Sequence, residues 1–135
     1  MTLFGKEHVD RYVETDGAEG YDWRGTTILL LSTTGRKSGK GYTHPLIYRD
    51  YGDDYLIVAS KGGAPEPPEW FLNLQANPEV GVQIKGETFT AHARVATAEE
   101  KPAMWAHMLE VWPDYAEYQT KTDREIPIVV LERIS

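Results

Sequence analysis

A chain of 135 residues suits one domain built around one hydrophobic core. Its 41% hydrophobic and 26% charged residues are the balance of a folded globular protein, and the absence of cysteine removes disulfides, thiolate metal sites and cysteine nucleophiles together. The formal net charge of −7 repels phosphate backbones and argues against nucleic acid as a partner.

Residues 3–15 place Leu3, Phe4, Val9, Tyr12 and Val13 among charges, the pattern of a short amphipathic helix. Lys6 and Glu7 interrupt this segment before an apolar run develops, so no signal peptide is expected. Gly17, Gly20 and Gly25 mark a loop, and residues 1–24 read as a helix and loop preceding the main body. Residues 26–34, rich in β-branched and aliphatic side chains, read as a largely buried strand. A turn over 35–41 carries Arg36, Lys37 and Lys40. A second strand follows over 42–51, where Pro45 implies an edge position or a bulge. Gly52 and Asp53 turn the chain into a third strand over 54–60. Prolines 65, 67 and 68 then lead into a short helix over 69–76, with Trp70 and Leu74 one turn apart and Asn77-Pro78 as its stop.

Strict alternation of Val80, Val82 and Ile84, then of Phe89, Ala91, Ala93 and Val95, makes a hairpin the clearest feature of the chain. Thr97 and Glu100 have capping-box spacing for a helix reaching about residue 111. Residues 115–122 have room for a further turn or two, and 126–133 close the chain as a strand. The expected fold is mainly β (α+β): six antiparallel strands in a sheet that curls or closes, with short flanking helices, in one domain over 1–135. The longest apolar runs, 28–31 and 128–131, fall far below the ~20 residues of a membrane helix. A cytoplasmic protein without an integral membrane segment is expected. The mixed charges of the N-terminal helix leave only weak peripheral membrane contact.

Several chemistries lack support. The 35–41 turn has only three residues between Gly35 and Gly39, has Gly41 in place of a needed Ser/Thr, and leads into a strand, so it is no nucleotide-triphosphate loop. His8, His44, His92 and His107 show no paired metal spacing, and no metal site is expected. Ser38 and Ser60 lack the frame of a hydrolase nucleophile. No acidic residue lies between Asp22 and Asp50, so Arg36, Lys37 and Lys40 stand out on an acidic protein. They form either a site for one small anion or an ordinary solvated turn. Tyr115 and Tyr118, at helical i, i+3 spacing beside Trp112, either present two phenols to a planar ligand or pack as core; Trp70 poses the same choice.

Three ordered blocks, LLLSTTGRKSGKGYTHPLIY (29–48), IVASKGGAPEPPEWFLNLQANPEV (57–80) and WPDYAEYQTKTDREIPIVVLE (112–132), resemble the deazaflavin (F420)-dependent nitroreductase family, a split-β-barrel branch of the flavin/deazaflavin oxidoreductases. That resemblance implies coenzyme F420 as cofactor, with FMN as the alternative. It implies hydride transfer to an electron-poor small-molecule acceptor: a quinone, a nitroaromatic or an activated enone or lactone. The alternatives are an FMN-binding oxidoreductase of the same fold and a non-catalytic F420 carrier. By the resemblance, Arg36, Lys37 and Ser38 engage the anionic tail. Tyr42, Thr43, His44, Pro45 and Leu46, with Val58, Ala59, Ser60 and Lys61, flank the ring, and Trp70 and Asn73 lie on the bordering helix. Tyr115, Tyr118 and Ser60 are the implied catalytic set, with Tyr115 to orient or protonate the acceptor. One departure is Tyr42, which stands where many members carry a basic residue. A monomer or weak homodimer is implied.

Overall fold

The computed structural model describes residues 5–134. Its strands alternate residues between two faces, and here both faces are covered, which explains the continuous apolar runs in the sequence. In chain order the elements are α1 (Gly5–Glu14), β1 (Asp22–Trp23), β2 (Thr26–Thr34), β3 (Gly41–Tyr51), β4 (Asp54–Val58), a 3-10 turn (Lys61–Gly63), α2 (Glu69–Ala76), β5 (Glu79–Ile84), β6 (Glu87–Val95), α3 (Lys101–Leu109), α4 (Asp114–Thr120) and β7 (Ile128–Arg133). The strands pair antiparallel in the order β1-β2-β3-β4-β7-β6-β5, and a further β2–β5 pairing returns to the start. Six strands, β2 to β7, therefore close a barrel, as expected, and β1 pairs with the start of β2.

Leu29, Leu31, Ile57, Val129 and Leu131 point into the barrel, where Val80, Val82, Phe89 and Ala91 meet them. Phe71 and Leu74 of α2 join this core. The intervening residues face outward under helices. Leu56, Val58, Ile128 and Val130 pack with Met104 and Met108 of α3 and Tyr115 of α4. Ile28 and Leu30 pack under Tyr12 of α1. Apolar burial at roughly 25 cal/mol per Å² is what holds the helices to the barrel wall.

Where the structure departs from expectation, the causes are local. β4 ends at Val58 rather than at residue 60, and β7 begins at Ile128 rather than at 126. Ala59 N–H still donates to Pro127 O at 3.0 Å, but Pro127 has no N–H to return, so the ladder stops. The segment 1–24 is more than helix and loop, because Asp22 and Trp23 pair with Thr27 and Thr26 as β1. Val13 is half exposed and stands outside the buried face of α1, while Leu3 and Phe4 lie outside the described residues. The capping box forms, with Thr97 N–H donating to Glu100 Oε1 at 2.8 Å and Glu100 N–H to Thr97 Oγ1 at 3.3 Å, yet regular helix starts only at Lys101.

Pro45 illustrates how the barrel places an opening. Ile28 N–H bonds Tyr21 O, and Ile28 O accepts from Tyr12, so Ile28 faces away from its β3 partner Ile47. Two residues on, the Leu30–Pro45 pair has the same parity, a non-hydrogen-bonded pair in which the missing Pro45 N–H costs the ladder nothing. On its other side β3 pairs with β4 only at residues 49–51. The stretch around Pro45 is thus an open strand edge, the position expected from its proline.

Candidate functional site

That open edge borders two joined hollows. The smaller, of about 460 Å³, is lined by Arg36, Lys37, Ser38, Tyr42, His44 and Asn73, together with Gly35 and Glu69. The larger, of about 560 Å³, has His44, Pro45 and Leu46 of β3 on one side, with Val58 of β4 and Ser60, Lys61 and Gly62 beyond it. Trp70, Trp112, Tyr115 and Tyr118 complete its aromatic part, and His8 and Trp23 reach it from the N-terminal segment. His44 and Glu69 line both hollows, which makes them one groove.

The cationic end is a tight turn. Gly35 N–H donates to Lys40 O at 2.7 Å and Gly39 N–H to Gly35 O at 3.0 Å, with Gly39 in the left-handed region at φ 72°. A Cβ on Gly35 would fall 2.7 Å from Ser38 Oγ and 2.8 Å from the Tyr42 ring, so a side chain here would push both from their places. Tyr42 OH and Ser38 Oγ lie 3.2 Å apart. The aromatic residue at this unusual position therefore braces the turn. Arg36 is held from α2: buried Asn73 accepts through Oδ1 from Arg36 N at 3.2 Å and from Nη1 at 2.9 Å, and Glu69 Oε2 pairs with Nη1 at 2.8 Å. Lys37 is exposed and has no ion-pair partner among the described residues. Lys40 does not line the hollow.

At the junction, His44 Nδ1 is buried and lacks a hydrogen-bond partner, and burial lowers the pKa of the ring from its ordinary value. A neutral imidazole with an unmet polar atom is a site for a polar edge of a ligand. In the aromatic hollow Tyr115 is buried, with its ring centroid 6.1 Å from that of Tyr118 at 73°. Desolvation pushes the Tyr115 phenol well above its usual pKa, and the neighbouring Tyr118 adds to the shift, so it keeps its proton at neutral pH. Trp112 Nε1 donates to Tyr118 OH at 3.3 Å. Trp23 and Trp112 lie 5.8 Å apart at 34°, joining β1 to the α3–α4 connection. His8 is buried, with Nε2 2.7 Å from Gly20 O.

Most of the residues singled out from the sequence therefore meet in one groove, but Lys40, Thr43 and Ala59 do not. Thr43 lines neither hollow; it is exposed, and its hydroxyl lies 2.9 Å from Ser32 Oγ on the neighbouring strand. Ala59 is fully buried in the barrel core, turned inward between the wall residues Val58 and Ser60. Sequence reasoning missed Glu69, His8 and Trp23, whose place in the wall depends on contacts between distant segments. It also missed Arg124. This side chain donates from Nε to Ala64 O (2.9 Å), from Nη1 to Ala59 O (3.2 Å) and from Nη2 to Ser60 O (2.7 Å).

A cationic hollow that runs past a half-buried imidazole, its Nδ1 unpaired, into an aromatic chamber fits an elongated coenzyme with a planar ring and a charged tail. A closed barrel with this groove along its open strand edge has the form of a coenzyme-binding β-barrel. A family model described as F420H2-dependent quinone reductase matches residues 4–133. An F420H2-dependent quinone reductase of Mycobacterium tuberculosis is 40% identical over 126 residues, covering 90% of this chain and 85% of that protein. The solved structure of an F420H2-dependent reductase, FDR-A, is 44% identical with a TM-score of 0.72, over 81% of this chain and 95% of that one. A second solved structure, described as a domain-swapped dimer, is 43% identical with a TM-score of 0.75, over 94% of this chain and 96% of that one. The chain belongs to the F420H2-dependent quinone reductase family. Its cofactor is coenzyme F420 and its class is oxidoreductase, in line with the resemblance read from the sequence.

Proposed function

We propose that the chain reduces a quinone-type acceptor with F420H2 bound along this groove. The observation that carries the reading is the continuity of the cationic hollow with the aromatic one through His44 and Glu69. When bound, the reduced deazaflavin supplies a hydride equivalent from a carbon centre. Arg36, Lys37 and Ser38 hold the anionic tail; His44, Pro45 and Leu46 face Ser60 and Lys61 across the ring site. Tyr115 orients the acceptor by a hydrogen bond and holds the proton at its phenol oxygen, while Tyr118 shares the same wall. The stacked Trp23 and Trp112 exclude water from that end. Because β2 and β5 of the same chain close the barrel, a monomer is the proposed working unit.

The test is a titration of the purified protein with F420 and, separately, with FMN, followed by tryptophan quenching, since Trp70 and Trp112 line the groove. Saturable F420 binding together with oxidation of F420H2 by menadione is the expected result. Tight FMN binding without an F420 response would overturn the cofactor assignment here. Binding of F420 without turnover on menadione or a nitroaromatic would make the chain a carrier.

A further inference from the structure

The wall formed by Ser60, Lys61 and Gly62 has an unusual backbone. Lys61, Gly62 and Gly63 stand at φ 48°, 63° and 84°, three consecutive left-handed residues, one of them not glycine. The turn's own bonds are two: Gly63 N–H to Ser60 O at 3.0 Å and Ala64 N–H to Lys61 O at 3.1 Å. The remaining restraint comes from outside. Arg124, in the connection between α4 and β7, gives one N–H to each of three carbonyls, Ala59, Ser60 and Ala64, although Arg124 itself does not line the groove. A planar guanidinium has the fork of donors needed for this; an ammonium is a point charge and does not.

The segment that bears Arg124 is itself fastened to α4. Gln119 donates from Nε2 to Arg124 O at 2.8 Å and accepts at Oε1 from Ile126 N at 2.9 Å. On the other side of the loop, a Cβ on Gly63 would lie 2.5 Å from Tyr118 O, so the loop rests directly on the α4 backbone. α4 is the helix that carries Tyr115 and Tyr118. We infer that Arg124 is a positioning residue that locks residues 59–64 to α4, so that the coenzyme-side wall and the acceptor-side phenols keep one fixed separation. This rests on the assignment of those two walls under the proposed function.

The experiment uses the full chain with Arg124→Ala and Arg124→Lys. Amide exchange is first measured without coenzyme; the expected result for Arg124→Ala is about tenfold faster exchange at Gly63 and Ala64, the two hydrogen-bonded amides of the loop, with β6 amides unchanged as the internal reference. F420 affinity, read by tryptophan quenching, is expected to fall about tenfold; millimolar guanidinium should restore it in Arg124→Ala, and Arg124→Lys should remain impaired. Unchanged loop exchange would overturn the inference, as would faster exchange with wild-type affinity and turnover, which is the signature of a merely structural clamp. If Arg124→Ala does not fold, Arg124→Lys carries the same two measurements with the same criteria. A wild-type protein that fails to bind F420 would sink the proposed function, while the coenzyme-free exchange still decides whether Arg124 locks the loop.

Discussion

Arg36 and Lys37 are adjacent cations with different work. Arg36 is committed to Asn73 and Glu69 and shapes the turn; Lys37 is exposed and, among the described residues, unpaired. Lys37→Ala should therefore weaken F420 binding several-fold, and the loss should shrink as salt is raised because an exposed charge is readily screened. A salt-independent loss would mean that the substitution had altered the turn instead. At the other end, Tyr115→Phe removes the hydroxyl while keeping the ring that packs against Met104 and Met108. Turnover should fall by roughly tenfold or more, with coenzyme affinity unchanged. An unaltered rate would take Tyr115 out of the chemistry.

Among the elements, α1 is joined to the barrel by one buried hydroxyl. Tyr12 OH donates to Ile28 O at 2.9 Å and accepts from Lys85 N at 2.7 Å, spanning β2 and the β5–β6 turn. Tyr12→Phe leaves both backbone groups unmet and should cost about 1–3 kcal/mol in urea unfolding. A midpoint shift within error would show that water replaces the hydroxyl. The elements differ in how far local pattern reveals them. β2 and α2 have the residue bounds that composition and proline placement predict, because both rest on propensity and local stops. β1 was invisible, since two residues carry no periodicity and Trp23 is placed by its contact with Trp112, nearly ninety residues away. The cationic turn was legible as a cluster of charge and a candidate anion site, but the bonds to Asn73 that hold Arg36 were not, because that partner reaches the turn from α2. Arg124 was unreadable for the same reason: its three acceptors lie some sixty residues upstream.

For the whole molecule, burial of His44 links the groove to stability. Its folded pKa lies below the ordinary 6.5, so the unfolded chain takes up the proton first as pH falls. The stabilising effect of keeping His44 neutral is complete above about pH 6.5 and declines as the solution is acidified toward the depressed folded value. Urea midpoints between pH 7.5 and 5.5 should fall, and His44→Phe should flatten that part of the profile; equal slopes would assign the dependence to other groups. The same stretch of β3 has a second consequence, for contact with other chains. A strand edge beside a binding groove is ordinarily a template on which a second polypeptide can add and seed aggregates. Here the place facing outward at Pro45 offers no amide hydrogen, so an incoming strand would meet a gap in its ladder beside the groove. The proline thus keeps the edge available to a small molecule and poor as a seam between proteins.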